Sequence, residues 1–211
     1  VERGLDSEGA LPGPLNLARK APNYYIKARG YKPSLQSRGM VYSYALAVSE
    51  ENASGGTIVT APTCGACGVV PAVLYHLSKG HDFSETKILH ALATAGLFGN
   101  IVKYNASISG AEGGCQAEVG SASAMSAAAL TLAAGGTPYQ ASQAVCFVIK
   151  NMLGLICDPV AGLVEVPCVK RNAMGASYAF IAADMALAGI ESKIPVDEVI
   201  DAMYQVGSSL P

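Results

Sequence analysis

Between Val119 and Ile149 the chain carries no charged side chain. A stretch of this kind either crosses a membrane or lies inside a protein. Gly135, Gly136 and Pro138 interrupt it near the middle. Each half is then about 15 residues, which is shorter than the ~20 that a membrane-spanning helix requires. The sequence therefore predicts two buried helices and no membrane span.

The composition is that of a folded chain with few surface charges. Apolar residues make up 51% of the 211 and charged residues 14%, against roughly 25% charged in an average globular chain. This excludes a disordered chain, which combines low hydrophobicity with high net charge. A net charge of −2 without a basic cluster argues against nucleic-acid binding. We expect another domain or subunit to cover part of the surface, and we expect a homo-oligomer.

Hydrophobic periodicity and capping residues predict an all-α domain with at most one short strand. We expect residues 1–33 to be an irregular lead-in with at most one short helix. We expect residues 34–211 to form one helical domain, cut at both ends from something longer. Helices are predicted at 36–50, 71–79, 84–97, 116–134, 138–152, 171–188 and 196–208, a short strand at 57–60, a glycine-rich loop at 110–114 and an ordered loop at 157–167.

The six cysteines are expected to be reduced, because a core of this size needs no disulfides. Cys146 lies among apolar residues and is expected to be a small buried side chain. Cys64 and Cys67 form a C-x-x-C pair, which suits a redox dithiol or small packing residues. A zinc site would need further ligands at a matching spacing, and the sequence offers none.

Cys115, Cys157 and Cys168 lie in different surroundings. Two glycines precede Cys115, and prolines lie close to Cys157 and Cys168. Glycines let the backbone approach a bulky inorganic group, and prolines stiffen loops. Three converging thiolates can hold three irons of a [4Fe–4S] cluster and leave the fourth iron open, but this dispersed spacing alone does not establish a cluster.

Three longer stretches, each of which contains cysteines, resemble the α domain of bacterial iron–sulfur L-serine dehydratases. The runs are 60–71 (TAPTCGACGVVP), 105–120 (NASISGAEGGCQAEVG) and 157–172 (CDPVAGLVEVPCVKRN). With 182–188, the resemblance covers nearly all of residues 40–211.

The resemblance implies a mostly helical domain whose Cys115, Cys157 and Cys168 hold an oxygen-labile [4Fe–4S] cluster. It implies that L-serine binds the open iron, loses water to give aminoacrylate and ends as pyruvate and ammonia. It also implies a β domain, on the same chain or on a partner, that completes the active site. No β domain is found in this sequence, so we expect the general base to lie there.

Several residues of the matching stretches are candidates for catalysis or substrate binding. Lys170, Arg171 and Glu112 are the candidate catalytic residues, and Thr63, Asn105 and Ser109 are the candidate substrate-binding residues. An arginine can hold a carboxylate through two hydrogen bonds, although Lys170 and Arg171 could equally be surface charges. The polar residues before Cys115, including Ser107, could instead serve as loop and helix caps.

Other assignments have less support in the sequence. His76 and His90 lie in predicted helices and are expected to be structural or surface residues, and His81 is a weak candidate for the base. No lysine has the motif of a pyridoxal-phosphate enzyme, and no nucleotide-binding glycine motif occurs. A cluster-dependent cysteine desulfidase and a non-catalytic helical module that binds a cluster, zinc or nothing remain alternatives. A labile cluster and free thiols indicate the cytoplasm.

Overall fold

The computed structural model describes residues 1–80 and 83–210, and in these residues the chain is all-α, as predicted. The described part contains one isolated bridge, between Ala10 and Ala18, and no strand. The strand expected at 57–60 is therefore absent. The helices are α1 (Glu2–Asp6), α2 (Ala21–Arg29), α3 (Pro33–Ala53), α4 (Val69–Gly80), α5 (Glu85–Asn105), α6 (Gly110–Cys115), α7 (Ser121–Ala133), α8 (Pro138–Met152), α9 (Cys168–Leu187) and α10 (Val196–Gly207).

Helix α7 is the centre of the molecule, and it corresponds to the first half of the uncharged stretch. It packs against α4, α5, α8 and α9, and every residue from Ser121 to Thr131 is buried. Its alanine and serine side chains are small, so neighbouring helices approach closely. The Ser123 hydroxyl donates to the Gly175 carbonyl of α9 at 2.6 Å, which satisfies a polar group in the interior. Of the helices described, none is both long enough and apolar enough to span a membrane.

Helix boundaries follow the capping residues at two of the predicted positions. Thr137 and Gln140 form a reciprocal capping box at the start of α8, and the Ser84 hydroxyl accepts from the Lys87 N–H at the start of α5. The predicted end of α5 near Leu97 is wrong, because the helix continues to Asn105.

Gly99 explains that error. It is buried within α5, and a Cβ atom there would lie 2.9 Å from the sulfur of Met125 on α7. The glycine therefore permits close helix packing and does not terminate the helix.

Residues 1–33, for which the sequence predicts an irregular lead-in, contain α1 and α2, and both helices pack on α3. Two buried acidic residues near the end of α3 hold this segment. Glu50 accepts hydrogen bonds from the backbone N–H groups of Lys20 and Ala21, at 2.7 and 3.2 Å. The neighbouring Glu51 forms ion pairs with the side chains of Arg3 and Arg19.

Candidate active site at the cysteine loops

Cys115 lies at the junction between α6 and a single π-helical turn, Gln116–Gly120. The glycine-rich stretch 110–114, predicted as a loop, is thus mostly helical, and it breaks at Gly114, where φ is 74°. A Cβ atom at Gly114 would lie 2.6 Å from the Leu155 carbonyl oxygen, so only glycine fits this close approach. The segment that leads to Cys157 therefore lies directly against Cys115.

The buried side chain of Gln116 fixes this contact. Its Oε1 accepts from the Gly154 N–H at 2.9 Å, and its Nε2 donates to the Met203 carbonyl of α10 at 2.9 Å. The Gln116 backbone N–H donates to the Leu155 carbonyl. These bonds hold the π-helical turn, the Cys157 loop and α10 together.

The side chain of Asn172 fixes the surroundings of Cys168, the first residue of α9, through hydrogen bonds. Its amide donates to the carbonyls of Gly65 and Cys168 at 2.7 and 2.8 Å. Its oxygen accepts from the Gly68 N–H at 2.8 Å. Asn172 therefore attaches the 63–68 loop to the helix that begins with Cys168.

The structure brings together the three cysteines that the resemblance assigns to the cluster. The thiols of Cys115 and Cys168 lie close enough for each to shift the pKa of the other, and both are buried. Cys157 is exposed and lies within electrostatic range of both. Among the described residues, no three histidine, cysteine or acidic side chains converge tightly enough to hold one metal ion.

Arg171 is the cation of this site. Its Nη1 donates to the Cys115 sulfur at 3.2 Å, to the Ile156 carbonyl at 3.2 Å and to the Asp158 carboxylate at 2.6 Å. One guanidinium therefore contacts a buried cysteine and both residues that flank Cys157. This places Arg171 at the site and commits it to an ion pair.

The proximity of the two buried thiols shifts their pKa values in opposite directions. The Cys168 thiol, together with burial, raises the pKa of Cys115, while Arg171 opposes the rise. The Cys115 thiol lowers the pKa of Cys168. Burial and the proximity of Cys115 raise the pKa of Cys157. Within the pair, Cys168 is therefore the more acidic thiol.

Glu118 is a site residue that the sequence reasoning missed. It lies on the π-helical turn, half-buried, and burial raises the pKa of its carboxyl group. Its charge acts on the thiols of Cys67, Cys157 and Cys168. The signal was present in the sequence, because Glu118 is the last charged residue before the uncharged stretch.

Thr63 lies beside Glu118. Its hydroxyl and the Gly110 N–H are close enough to lower the pKa of the carboxyl group, against the larger effect of burial. The Thr63 hydroxyl oxygen is buried and completes no hydrogen bond of good geometry within the described part of the chain. Of the candidate substrate-binding residues, Thr63 is therefore the one beside the cysteine site.

The other candidates have local partners or lie elsewhere. Asn105 donates to the Ile101 carbonyl within α5. Ser109 precedes α6, and Glu112 accepts from the Ser107 hydroxyl at 2.7 Å. Lys170 lines a separate cavity of about 390 Å³ between α2, α3 and α9, so its side chain does not share the surroundings of Arg171.

The C-x-x-C pair adjoins the site. Cys64 is exposed, whereas Cys67 is buried, and burial raises the pKa of Cys67 to about 12. Cys67 therefore stays protonated, in agreement with a packing role, and Cys146 is buried as expected.

The histidines give the described site no base. His76 is buried against Phe180 and Ser37, and His90 is exposed on α5. His81, the weak candidate, lies outside the described residues.

Comparison with known proteins assigns the chain to a family. The family model for the serine dehydratase alpha chain matches residues 1–211. The chain is 62% identical over 169 residues to a probable L-serine dehydratase, alpha chain, of Bacillus subtilis (strain 168), covering 80% of this chain and 56% of that protein.

Two longer relatives match the whole chain. L-serine dehydratase TdcG of Escherichia coli (strain K12) is 44% identical over 220 residues, and the L-serine dehydratase of Streptomyces coelicolor (strain ATCC BAA-471 / A3(2) / M145) is 46% identical over 213 residues. This chain spans 48% and 47% of their lengths, about half of each. The chain belongs to the serine dehydratase alpha chain family.

Proposed function

We propose that this chain is the cluster-binding part of an L-serine dehydratase, which converts L-serine into pyruvate and ammonia. The observation that carries the proposal is the meeting of Cys115, Cys157 and Cys168 around the Arg171 guanidinium in a chain of this family. Its relatives are named as L-serine dehydratases, which favours L-serine over L-cysteine as the substrate.

The residues at the cysteine loops fit a [4Fe–4S] cluster held by Cys115, Cys157 and Cys168. Each cysteine of such a cluster binds a different iron, so the three thiols need not converge on one point. Gly114 leaves room for close approach, and Arg171 offsets the negative charge that the thiolates bring. When bound, the cluster supplies an open iron, which acts as a Lewis acid on the substrate.

The chain's own residues position the site and control its charge. Arg171 holds the segment around Cys157 through Asp158 and the Ile156 carbonyl. Asn172 and Gln116 fix the neighbouring loops. These bonds join the segments that carry the three cysteines to packed helices, and such preorganisation supports the proposed ligand set.

The reaction removes the Cα proton and the hydroxyl group of L-serine to give aminoacrylate. Its imine form then takes up water and releases ammonia, leaving pyruvate. We propose that a β chain or β domain supplies the base for the Cα proton, since relatives are named as alpha chains. We also propose a cytoplasmic location, because a labile cluster with reduced cysteines needs a reducing compartment. The low share of charged residues supports the further proposal of a homo-oligomer.

Pyruvate formation tests the proposal. The chain, combined with its β chain and loaded anaerobically with iron and sulfide, is expected to form pyruvate from L-serine. Cys157→Ser should abolish this activity, and Cys146→Ala, which removes a cysteine outside the site, should retain it. Absence of pyruvate from L-serine, or full activity in Cys157→Ser, would contradict the proposal.

A further inference from the structure

Glu118 places a carboxyl group at the cysteine site. Its carboxylate acts electrostatically on Cys157 and Cys168. It is packed so closely that a Cβ atom at Gly65 would lie 2.1 Å from its Oε1 and one at Gly110 would lie 3.3 Å from its Oε2. The absence of side chains at both glycines lets the carboxylate lie directly against Gly65 and close to Gly110.

Glu118 has no cationic partner among the described residues. Arg171, the nearest cation of the site, is bonded to Asp158 and Cys115. No ion pair to Glu118 is formed in the described part of the chain, and no basic side chain contributes to its pKa. A partly buried carboxylate is normally paired with a cation, so Glu118 is electrostatically incomplete.

The Thr63 hydroxyl is incomplete at the same place. Its oxygen is buried and completes no hydrogen bond of good geometry within the described residues, although it lies close enough to the Glu118 carboxyl group to lower the pKa of that group. Buried hydroxyl groups normally form a full hydrogen bond. The carboxylate of Glu118 and the lone pairs of the Thr63 oxygen can both accept hydrogen bonds from a third group, and a small cation with several N–H donors suits both acceptors.

We propose that Glu118 and Thr63 bind the α-ammonium group of the amino-acid substrate. This inference rests on the proposed function and deepens it. L-Serine has three polar groups, and its carboxylate and hydroxyl are suited to a Lewis-acidic metal. The ammonium group is positive and needs an anion, which Glu118 provides beside the three cysteines. The pair would therefore select α-amino acids over hydroxy acids without an amino group.

Binding of two ligands tests the inference. L-Serine and 3-hydroxypropanoate differ in the ammonium group, which the second ligand lacks. Their dissociation constants are measured from changes in the visible spectrum of the cluster-loaded complex with the β chain. A hydrogen-bonded charge is worth roughly 10- to 100-fold in affinity. Glu118→Gln should therefore raise the dissociation constant of L-serine by about that factor. It should leave the dissociation constant of 3-hydroxypropanoate within about threefold of its original value.

Two further variants support the comparison. Glu198→Gln makes the same change at an exposed site on α10 and should alter neither constant. Thr63→Val keeps the shape of the side chain and removes the hydroxyl. The dissociation constant of L-serine should therefore rise by roughly threefold to tenfold. If Glu118→Gln does not fold or hold iron, the Thr63→Val variant alone tests the inference. An equal loss of affinity for L-serine and 3-hydroxypropanoate would overturn it.

The outcomes separate this inference from the proposed function. If the unaltered complex binds L-serine and forms no pyruvate, the proposed function fails, while the ratio of the two dissociation constants still tests Glu118. If pyruvate forms and Glu118→Gln leaves that ratio unchanged, the ammonium assignment is wrong and the proposed function stands.

Discussion

Two acidic sites in this molecule, one buried and one half-buried, differ in how their charges are satisfied. At the end of α3, Glu50 accepts two backbone N–H groups and Glu51 is paired with Arg3 and Arg19. On the π-helical turn, Glu118 has a backbone N–H and a hydroxyl nearby and no cation among the described residues. The first site fastens the N-terminal segment to the body of the domain. The second lies beside three cysteines and is left for a ligand.

The difference shows how structural and ligand-binding charges can be told apart. A structural carboxylate has its partners within the chain, so removing it destabilises the fold. A ligand-binding carboxylate is held in place at a cost in folding free energy, so removing it affects binding more than stability. At the cysteine site, neutral hydrogen-bonding groups such as the Asn172 amide hold the loops together. The three predictions below concern the protein without a cluster and run from the largest expected effect to the smallest.

Asn172→Ala should lower the free energy of unfolding by about 3 kcal/mol, because it removes three buried hydrogen bonds and leaves their partners unsatisfied. The loss should be the same at pH 7 and pH 4, since a neutral amide is involved. Urea denaturation measures it. Asn151→Ala, which removes one bond within α8, is the matched control and should cost less than about 1 kcal/mol. Equal costs would show that Asn172 does not tie the loops together.

Glu51→Gln should lower the free energy of unfolding by about 2 kcal/mol at pH 7, because Arg19 is left without its full counter-charge. Although burial opposes it, pairing with Arg19 and Arg3 lowers the pKa of Glu51 from 4.5. Its contribution is therefore complete above the unfolded pKa and is lost as pH falls through the lower folded value. The difference from the unaltered chain should shrink from pH 7 towards pH 3 in urea denaturation.

The control for this charge is Glu191→Gln, which breaks an exposed ion pair with Lys193. Such pairs contribute little, so its effect should stay below about 0.5 kcal/mol. A Glu51→Gln variant as stable as this control would contradict the structural role of the α3 site.

Glu118→Gln should raise the free energy of unfolding at pH 7 by up to about 1 kcal/mol. Burial raises the pKa of Glu118, so the ionised carboxylate is a cost that is absent below its unfolded pKa and complete above the raised folded value. The gain should therefore grow from pH 4 to pH 7, opposite in sign to Glu51→Gln. A loss of stability at pH 7 would show that Glu118 has a structural cation.

Local sequence signals predicted much of the helical fold. Thr137 and Gln140 marked the start of α8 because a capping box needs only neighbouring residues. The end of α5 was missed, since the role of Gly99 depends on Met125 of another helix. The order in residues 1–33 was missed for a similar reason: Glu51 meets Arg3 and Arg19 over long sequence separations, which periodicity does not report.

The sequence predicted the cysteines of the candidate site, but it did not predict the residues that surround them. Family-like stretches pointed to Cys115, Cys157 and Cys168, and the structure brings them together. Neither the π-helical turn that carries Glu118 nor the contact of Arg171 with Cys115 has a local sequence pattern. Lys170 and Arg171 are adjacent in sequence yet line different regions, because successive residues of a helix point in different directions.

Iron content and the visible spectrum test most directly whether the cysteine loops form a cluster site. The chain is loaded anaerobically with iron and sulfide, beside single Cys115→Ser, Cys157→Ser and Cys168→Ser variants and the Cys146→Ala control. We expect about four irons per chain and a broad brown absorption in the unaltered chain and in the control, with both reduced in each serine variant. Equal iron in all five proteins would contradict the assignment of these cysteines.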